Sequence, residues 1–219
     1  MSTCAAKKPQ IGVLALQGAF IEHEDMLKRL GADCHEIRER ADLDAPMDGL
    51  VLPGGESTTQ KKLLADLGLY DELHRRIAAG LPVLATCAGL ILLAKDATQD
   101  ACPYPGFATL PVRVRRNAYG RQLGSHHMLL DFKGIGQIPA TFIRAPYITS
   151  VSPEVEVLAK EDEEIVAVQY HHILALSFHP ELDMDGRLYR YFLEHMAKNA
   201  SDMASGTTSD KANVLPFSA

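Results

Sequence analysis

Apolar runs and amphipathic stretches alternate along the first half of the chain. Ile11 to Leu16 is a short β-rich run ending at Gln17-Gly18, and it is followed by Phe20, Ile21, Met26, Leu27 and Leu30 at helical spacing. Gly31 stands where a left-handed helix cap is wanted. A strand is predicted between Ala32 and Arg38. A third apolar run, Gly49 to Leu52, stops at Pro53-Gly54-Gly55, after which Ser57 and Thr58 are placed to cap a helix through Leu67. Tyr70 to Ala79 reads as a short helix ended by Gly80. Leu81 to Thr86 is a fourth apolar run, leading through Cys87-Ala88-Gly89 into a helix over Leu90 to Ala94. Alternation of this kind predicts a parallel sheet covered by helices on both faces.

From Pro111 onward the texture changes to strand-like runs: Val112 to Arg115, Met128 to Phe132, Thr141 to Arg144, Val155 to Ala159, Ile165 to Gln169 and Ile173 to Phe178. An amphipathic helix over about Gly186 to Ala197 closes the pattern. Asn199 to Ala219 is rich in Ser, Thr, Asp and Asn, lacks periodicity and reads as a disordered tail. The expectation is therefore one α/β domain over residues 10–198, with a central, mainly parallel sheet flanked by helices and some antiparallel strands in the second half. A chain of 219 residues with 47% hydrophobic and 23% charged residues suits one such domain with a full core.

Charge and cysteine usage narrow the function classes. Lys and Arg number 22 against 28 Asp and Glu, a formal net charge of -6, which argues against nucleic acid as a partner. Gly80 to Ala94, the longest uncharged stretch, has 15 residues and contains Pro82 and Gly89, short of the roughly 20 apolar residues of a membrane span. The N-terminus shows no signal-peptide pattern. Cys4, Cys34, Cys87 and Cys102 are irregularly spaced with no CxxC pair, which favours reduced thiols in a cytoplasmic protein over a disulfide framework or zinc site.

Three segments carry candidate chemistry. Cys87 sits between a buried-type strand and a short helix, the setting of a nucleophile elbow, with Ala85, Ala88 and Gly89 as the small neighbours such a turn needs. Backbone N–H groups of the helix would point at the sulfur and favour thiolate. The same residue also fits a small buried hydrophobe. After the strand ending at Phe178 comes His179-Pro180-Glu181, where residues two apart on an extended segment project to one side, so an imidazole base and an orienting carboxylate can converge. Alone, His-x-Glu also fits a surface pair. Pro53-Gly54-Gly55-Glu56-Ser57 lies at a strand end before a helix, but no Gly-Lys-Ser/Thr follows to make a phosphate loop. An oxyanion hole from the Gly55 and Ala88 amides is the apter use, with an ordinary tight turn as the alternative.

The segments GVLALQGAFIEHEDML, LVLPGGESTT, TCAGLILLAK, RRNAYGRQ, FIRAP, SFHPEL and DGRLYRYF occur in that order. Over about residues 10 to 197 the chain resembles the class I, triad-type glutamine amidotransferases and, within them, the glutaminase subunits of pyridoxal 5'-phosphate synthases. The resemblance implies hydrolysis of L-glutamine to L-glutamate and ammonia, with Cys87 as nucleophile, His179 as general acid and base and Glu181 as its orienting carboxylate. It implies glutamine contacts from Gly55, Glu56, Ser57, Arg116, Ile143 and Arg144, and an oxyanion region of Gly54, Gly55, Ala88 and Gln17. No cofactor or metal is implied. The partner implied is a synthase subunit that takes up the ammonia and builds pyridoxal 5'-phosphate from a pentose phosphate and a triose phosphate. Two alternatives stay open: a non-catalytic regulatory module on the same fold, and an amidotransferase subunit serving another acceptor.

The chain departs from the family pattern in three places. Ala85 stands where the family has glycine, Ser125-His126-His127 where it has Ser-Phe-Glu, and Tyr170-His171-His172 where a smaller, glycine-containing turn is usual. The tandem histidines do not read as a metal site, because adjacent strand residues face opposite ways and no third ligand has suitable spacing.

Overall fold

In the computed structural model, which describes residues 8–98, 102–116 and 125–204, the apolar runs of the first half become strands buried on both faces. The chain runs β1 (Gln10–Leu14), α1 (Phe20–Arg29), β2 (Asp33–Ile37), β3 (Gly49–Leu52), α2 (Ser57–Asp66), α3 (Tyr70–Ala78), β4 (Val83–Thr86) and α4 (Ala88–Leu93). It continues with β5 (Ala94–Thr98), β6 (Leu110–Arg115), β7 (Ser125–Phe132), β8 (Gly136–Ile143), β9 (Tyr147–Val151), β10 (Glu156–Glu161), β11 (Glu164–Tyr170), β12 (Ile173–Leu176) and α5 (Arg187–Ala204). Among the described residues, ten strands form one sheet with the order β2-β1-β3-β4-β12-β11-β9-β6-β5, β10 pairing with β11, while β7 and β8 form a separate hairpin.

The left half of that order is parallel: β1 pairs with β2 and β3, β3 with β4, and β4 with β12. The right half turns antiparallel through β11, β9 and β6. Ile11, Val13, Val51, Leu84 and Leu176 feed a core on one face with Leu27, Phe178, Tyr189 and Phe192. Leu14, Leu50, Leu52, Val83 and Ala85 feed the other face with Leu64, Leu73, Leu90 and Phe107. This two-sided burial is why the short parallel strands read as continuous apolar runs.

Four differences from the sequence reading have local causes. Helix α2 is capped by Glu56, whose carboxylate accepts from the Thr59 amide at 2.8 Å; the expected caps, Ser57 and Thr58, lie inside the first turn. Helix α4 ends at Leu93 and the chain goes straight into β5, a strand with no apolar alternation (AKDAT) that forms by pairing with β6 at the sheet edge. β9, also absent from the pattern, follows Pro146 and buries only Tyr147 and Ile148 of its five residues. Helix α5 runs to Ala204, so the segment from Asn199 begins as helix rather than as tail. Cys4, residues 117–122 of the RRNAYGRQ segment and residues 205–219 lie outside the described residues.

Candidate active site

β1, β3, β4 and β12 are mutually parallel neighbours, so the segments leaving their carboxyl ends emerge side by side, where open α/β sheets place their ligands. Cys87 follows β4 directly, with φ 47° and ψ −98°. A non-glycine residue in that sparsely populated region costs about 1–3 kcal/mol and persists only where the surroundings impose it. Here the Cys87 amide donates to the Leu176 carbonyl at 2.8 Å and the Ile91 amide donates back to the Cys87 carbonyl at 3.3 Å. Behind the turn, Gly89 lies so close to β3 that a Cβ would sit 2.1 Å from the Leu52 carbonyl oxygen. Ala85 fits without disturbance, fully buried and in register with Leu52 on one side and Ala175 on the other. The expected elbow is present, but α4 has only six residues, so its dipole is slight and the main partner of the sulfur is a side chain.

That side chain is His179, which hydrogen-bonds to Cys87. Its other face is fixed by Glu181, with Nδ1 2.7 Å from Oε1. The pair does not converge along an extended segment as the sequence suggests. Pro180, Glu181 and Leu182 form a single 3-10 turn with proline at its first position, where its fixed φ suits a helix start, and the turn folds the carboxylate back to the ring. The His179 amide is tied to the Thr141 carbonyl of β8 at 2.8 Å. Burial opposes a charged imidazole, but hydrogen bonds to Cys87 and Glu181 outweigh it and raise the His179 pKa. Burial likewise opposes charge on Glu181, and the neighbouring His23 and His179 reverse this and lower its pKa. Both shifts favour an imidazolium paired with a carboxylate.

Gln17, Gly55, Glu56, Ser57, Cys87, Arg116, Ile143, Arg144 and His179 line one cleft of about 270 Å³, together with Ile91. Gly54, Ala88 and Glu181 are not among its lining residues. Ile91 is not among the residues the sequence singles out, although its place one helical turn after Cys87 is an available signal. Gln17 orders the glycine loop: its Oε1 accepts from the Glu56 amide at 2.6 Å and its carbonyl from Gln60 Nε2 at 3.0 Å. Partial burial works against charge on Glu56, but hydrogen bonds from Thr58 and Thr59 overcome it and hold the carboxyl at about 2. Arg116 donates to the other Glu56 oxygen at 3.1 Å. The Ser57 hydroxyl is buried in the cleft wall with no hydrogen-bond partner among the described residues, an unmet polar group of the kind a ligand satisfies. Arg144 reaches the cleft from a strained backbone with φ 44°.

The departing histidines are used structurally. His126 stacks on Phe142 with centroids 4.8 Å apart and contacts Glu161 at 2.6 Å. His127 Nδ1 lies 2.9 Å from Thr141 Oγ1. His172 Nε2 donates to the Ile77 carbonyl at 2.8 Å, fastening the β11–β12 turn to α3, and His171 takes the positive-φ position of that turn. Among the described residues no group of three or more His, Cys, Asp or Glu is placed to hold a metal ion, and no helix is long and apolar enough to cross a membrane.

Comparison with known proteins bears on this arrangement. The pattern of the SNO glutamine amidotransferase family matches residues 13–198. The chain is 55% identical over 192 residues to the pyridoxal 5'-phosphate synthase subunit PdxT of Desulfitobacterium hafniense (strain DSM 10664 / DCB-2), covering 88% of this chain and 96% of that one. It is 54% identical over 188 residues to the PdxT of Methanocorpusculum labreanum, covering 86% and 98%. A crystal structure described as a glutamine amidotransferase superposes with a TM-score of 0.80 at 44% identity, covering 85% of this chain and 98% of the other. The structure of PurLQS from Thermotoga maritima shares the fold at 14% identity, with a TM-score of 0.61 over 87% of this chain and 100% of the other. With a cysteine elbow, a buried histidine–carboxylate pair and this breadth of match in hand, the chain belongs to the SNO glutamine amidotransferase family and is a glutaminase.

Proposed function

We propose that Cys87 is the nucleophile, His179 the general acid and base and Glu181 its orienting carboxylate in the hydrolysis of L-glutamine, on a unit spanning residues 10–198. The observation that carries this reading is the continuous line Cys87–His179–Glu181, with its sulfur end in the same cleft as Glu56, Ser57 and Arg116. The thiol proton passes to the His179 nitrogen left free by Glu181, and Sγ attacks the side-chain carboxamide carbon. The C–N bond breaks as the nitrogen takes that proton back and leaves as ammonia, giving a γ-glutamyl thioester. Water then gives a proton to His179 and adds to the thioester. The C–S bond breaks, the sulfur regains its proton and glutamate departs.

Gly55 and Ala88 amides serve the tetrahedral oxygen. Glu56, held ionised, suits the α-ammonium, while Arg116, Ser57 and the Ile143-Arg144 pair suit the α-carboxylate and the chain of glutamine. A glutamine-like electrophile is expected to label Cys87 and spare Cys34 and Cys102; burial pushes the Cys34 thiol up to about 11. Peptide mapping of the adduct reads the outcome, and chief labelling elsewhere overturns the assignment.

In the same reading the chain is the glutaminase subunit of a cytoplasmic pyridoxal 5'-phosphate synthase and hands its ammonia to a synthase subunit. The names of relatives spanned at 96% and 98% of their length support it. Free, the chain should hydrolyse glutamine poorly, and its synthase partner should stimulate it. The Gly54 carbonyl is lodged against Gly18, where a Cβ would come within 1.7 Å of the oxygen, and Gly55 has φ 150°. Partner docking that rotates the Gly54–Gly55 peptide would swing the Gly55 N–H, a movement two glycines permit at low steric cost. Steady-state rates with and without the synthase subunit test this. Full activity in the free chain favours a stand-alone hydrolase.

A further inference from the structure

His23 lies in the GAFIEHE segment, yet the reaction described above gives it no part. It projects from α1 into the space behind the cleft and is fully buried. Its Nε2 is 3.4 Å from Glu181 Oε2, the carboxylate oxygen that His179 does not use, and 3.2 Å from Thr86 Oγ1. Its Nδ1 is 2.8 Å from the hydroxyl of Tyr189 on α5, which is itself fully buried. Among the described residues Glu181 Oε2 has no hydrogen-bond partner, and His23 Nε2 at 3.4 Å approaches it without yet closing a hydrogen bond.

We propose that His23 is a positioning residue of the glutaminase reaction, holding Glu181 as a charged carboxylate aimed at His179 through a donated Nε2–H. The line of contacts is then Tyr189–His23–Glu181–His179–Cys87, running from α5 through α1 to the elbow. This rests on the assignment of Cys87, His179 and Glu181 made above.

The neighbours choose the tautomer. With the proton on Nδ1, the Nε2 lone pair would face a buried carboxylate oxygen and be repelled. With the proton on Nε2, the N–H is shared between Glu181 and Thr86, and Nδ1 accepts from the Tyr189 hydroxyl. Burial and the nearby Glu181 keep that phenol protonated and able to donate. Burial also lowers the His23 pKa, outweighing the pull of Glu181, and the charge on His179 lowers it further. A neutral His23 is what the site needs. A charged one would neutralise Glu181 and weaken its hold on His179, whereas a neutral N–H fixes the carboxylate and leaves its charge for the imidazolium. The 3.4 Å contact is long for the resting enzyme, and catalytic hydrogen bonds of this kind shorten when charge builds on the base.

The test is a double-mutant cycle on the chain together with its synthase subunit. His23→Ala is expected to lower kcat by about tenfold or more, part of the 10²–10⁴-fold that a positioned acid–base group supplies, with KM for glutamine nearly unchanged. His23→Gln, which can present an amide N–H near the Nε2 position, should recover part of the loss. In a Glu181→Gln background His23→Ala should cost about twofold or less, because a residue that acts through Glu181 has nothing left to act on. A loss of kcat equal in both backgrounds means that His23 only supports the packing and overturns the proposal. Unchanged kcat in His23→Ala overturns it too. If Glu181→Gln alone leaves kcat intact, the triad assignment itself has failed. Should His23→Ala not fold, Tyr189→Phe in the same cycle removes one hydroxyl at constant ring volume. It is expected to show a smaller kcat loss with the same dependence on Glu181, and an additive loss overturns the proposal.

Discussion

Cys87→Ala and His179→Asn are each expected to lower glutamine turnover by roughly 10⁴-fold or more, while Glu181→Gln leaves at least about tenfold more activity than either. The order follows from the positions. In the proposed reaction Cys87 supplies the atom that bonds to substrate, and the ring nitrogen of His179 facing it carries the proton both ways. Glu181 never reaches the cleft; it acts at 2.7 Å through Nδ1. Replacing its carboxylate by an amide leaves an acceptor for Nδ1 but removes the charge that supports the imidazolium. Rates in the presence of the synthase subunit, with thermal melting to verify folding, decide the order. Near wild-type turnover in His179→Asn would require another base.

Much of this site was legible in the sequence because its residues lie at strand ends. The apolar runs Ile11 to Leu16, Gly49 to Leu52, Leu81 to Thr86 and Ile173 to Phe178 are nearly uninterrupted, and each gives way at once to small or polar residues. A parallel sheet brings those exits together whatever the intervening chain does. Cys87, His179 and Gly55 were therefore placeable from pattern alone, and the family resemblance added Gln17, Glu56, Ser57, Arg116, Ile143 and Arg144. The turn at Pro180 was not legible in the same way. A His-x-Glu spacing fits both an extended segment and a 3-10 turn, and the proline favours the turn only once His179 is tethered to Thr141 of the separate β7–β8 hairpin.

His23 shows where pattern reading stops. At position four of an amphipathic helix, beside Met26 and Leu27, it reads as part of an interface, and its partners Thr86, Glu181 and Tyr189 lie 63, 158 and 166 positions away. No local signal marks a contact of that range. β5 and β9 were missed for a related reason: their strand character is conferred by β6, with which both pair, and their own sequences carry little alternation. The Glu56 cap escaped because a glutamate is an uncommon cap, and only the Thr59 amide at 2.8 Å identifies it.

Two alanines at neighbouring glycines should fail in opposite ways. Gly54 lies against the His179 ring: a Cβ there would be 2.4 Å from His179 Cε1 and 2.9 Å from Nδ1. The ring is buried and anchored by Glu181 and Cys87, so it must shift away and disturb both hydrogen bonds. A displacement approaching 1 Å at a reacting group costs on the order of 10²-fold in rate, so Gly54→Ala should lose kcat with little change in melting temperature. Gly89 instead meets backbone, the Leu52 carbonyl oxygen at 2.1 Å, where helix α4 crosses the end of β3. Neither side can rotate out of the way, so Gly89→Ala forces the helix off the sheet at an overpacking cost of about 1–3 kcal/mol or more. For a chain of this size that is a fall of several degrees, at roughly 2–4 °C per kcal/mol. Kinetics and melting curves on both variants separate the two effects. Wild-type kcat in Gly54→Ala would mean that the imidazole does not rest against this loop. An unshifted melting temperature in Gly89→Ala would mean that the elbow is not wedged against β3, and the strain at Cys87 would then need another source.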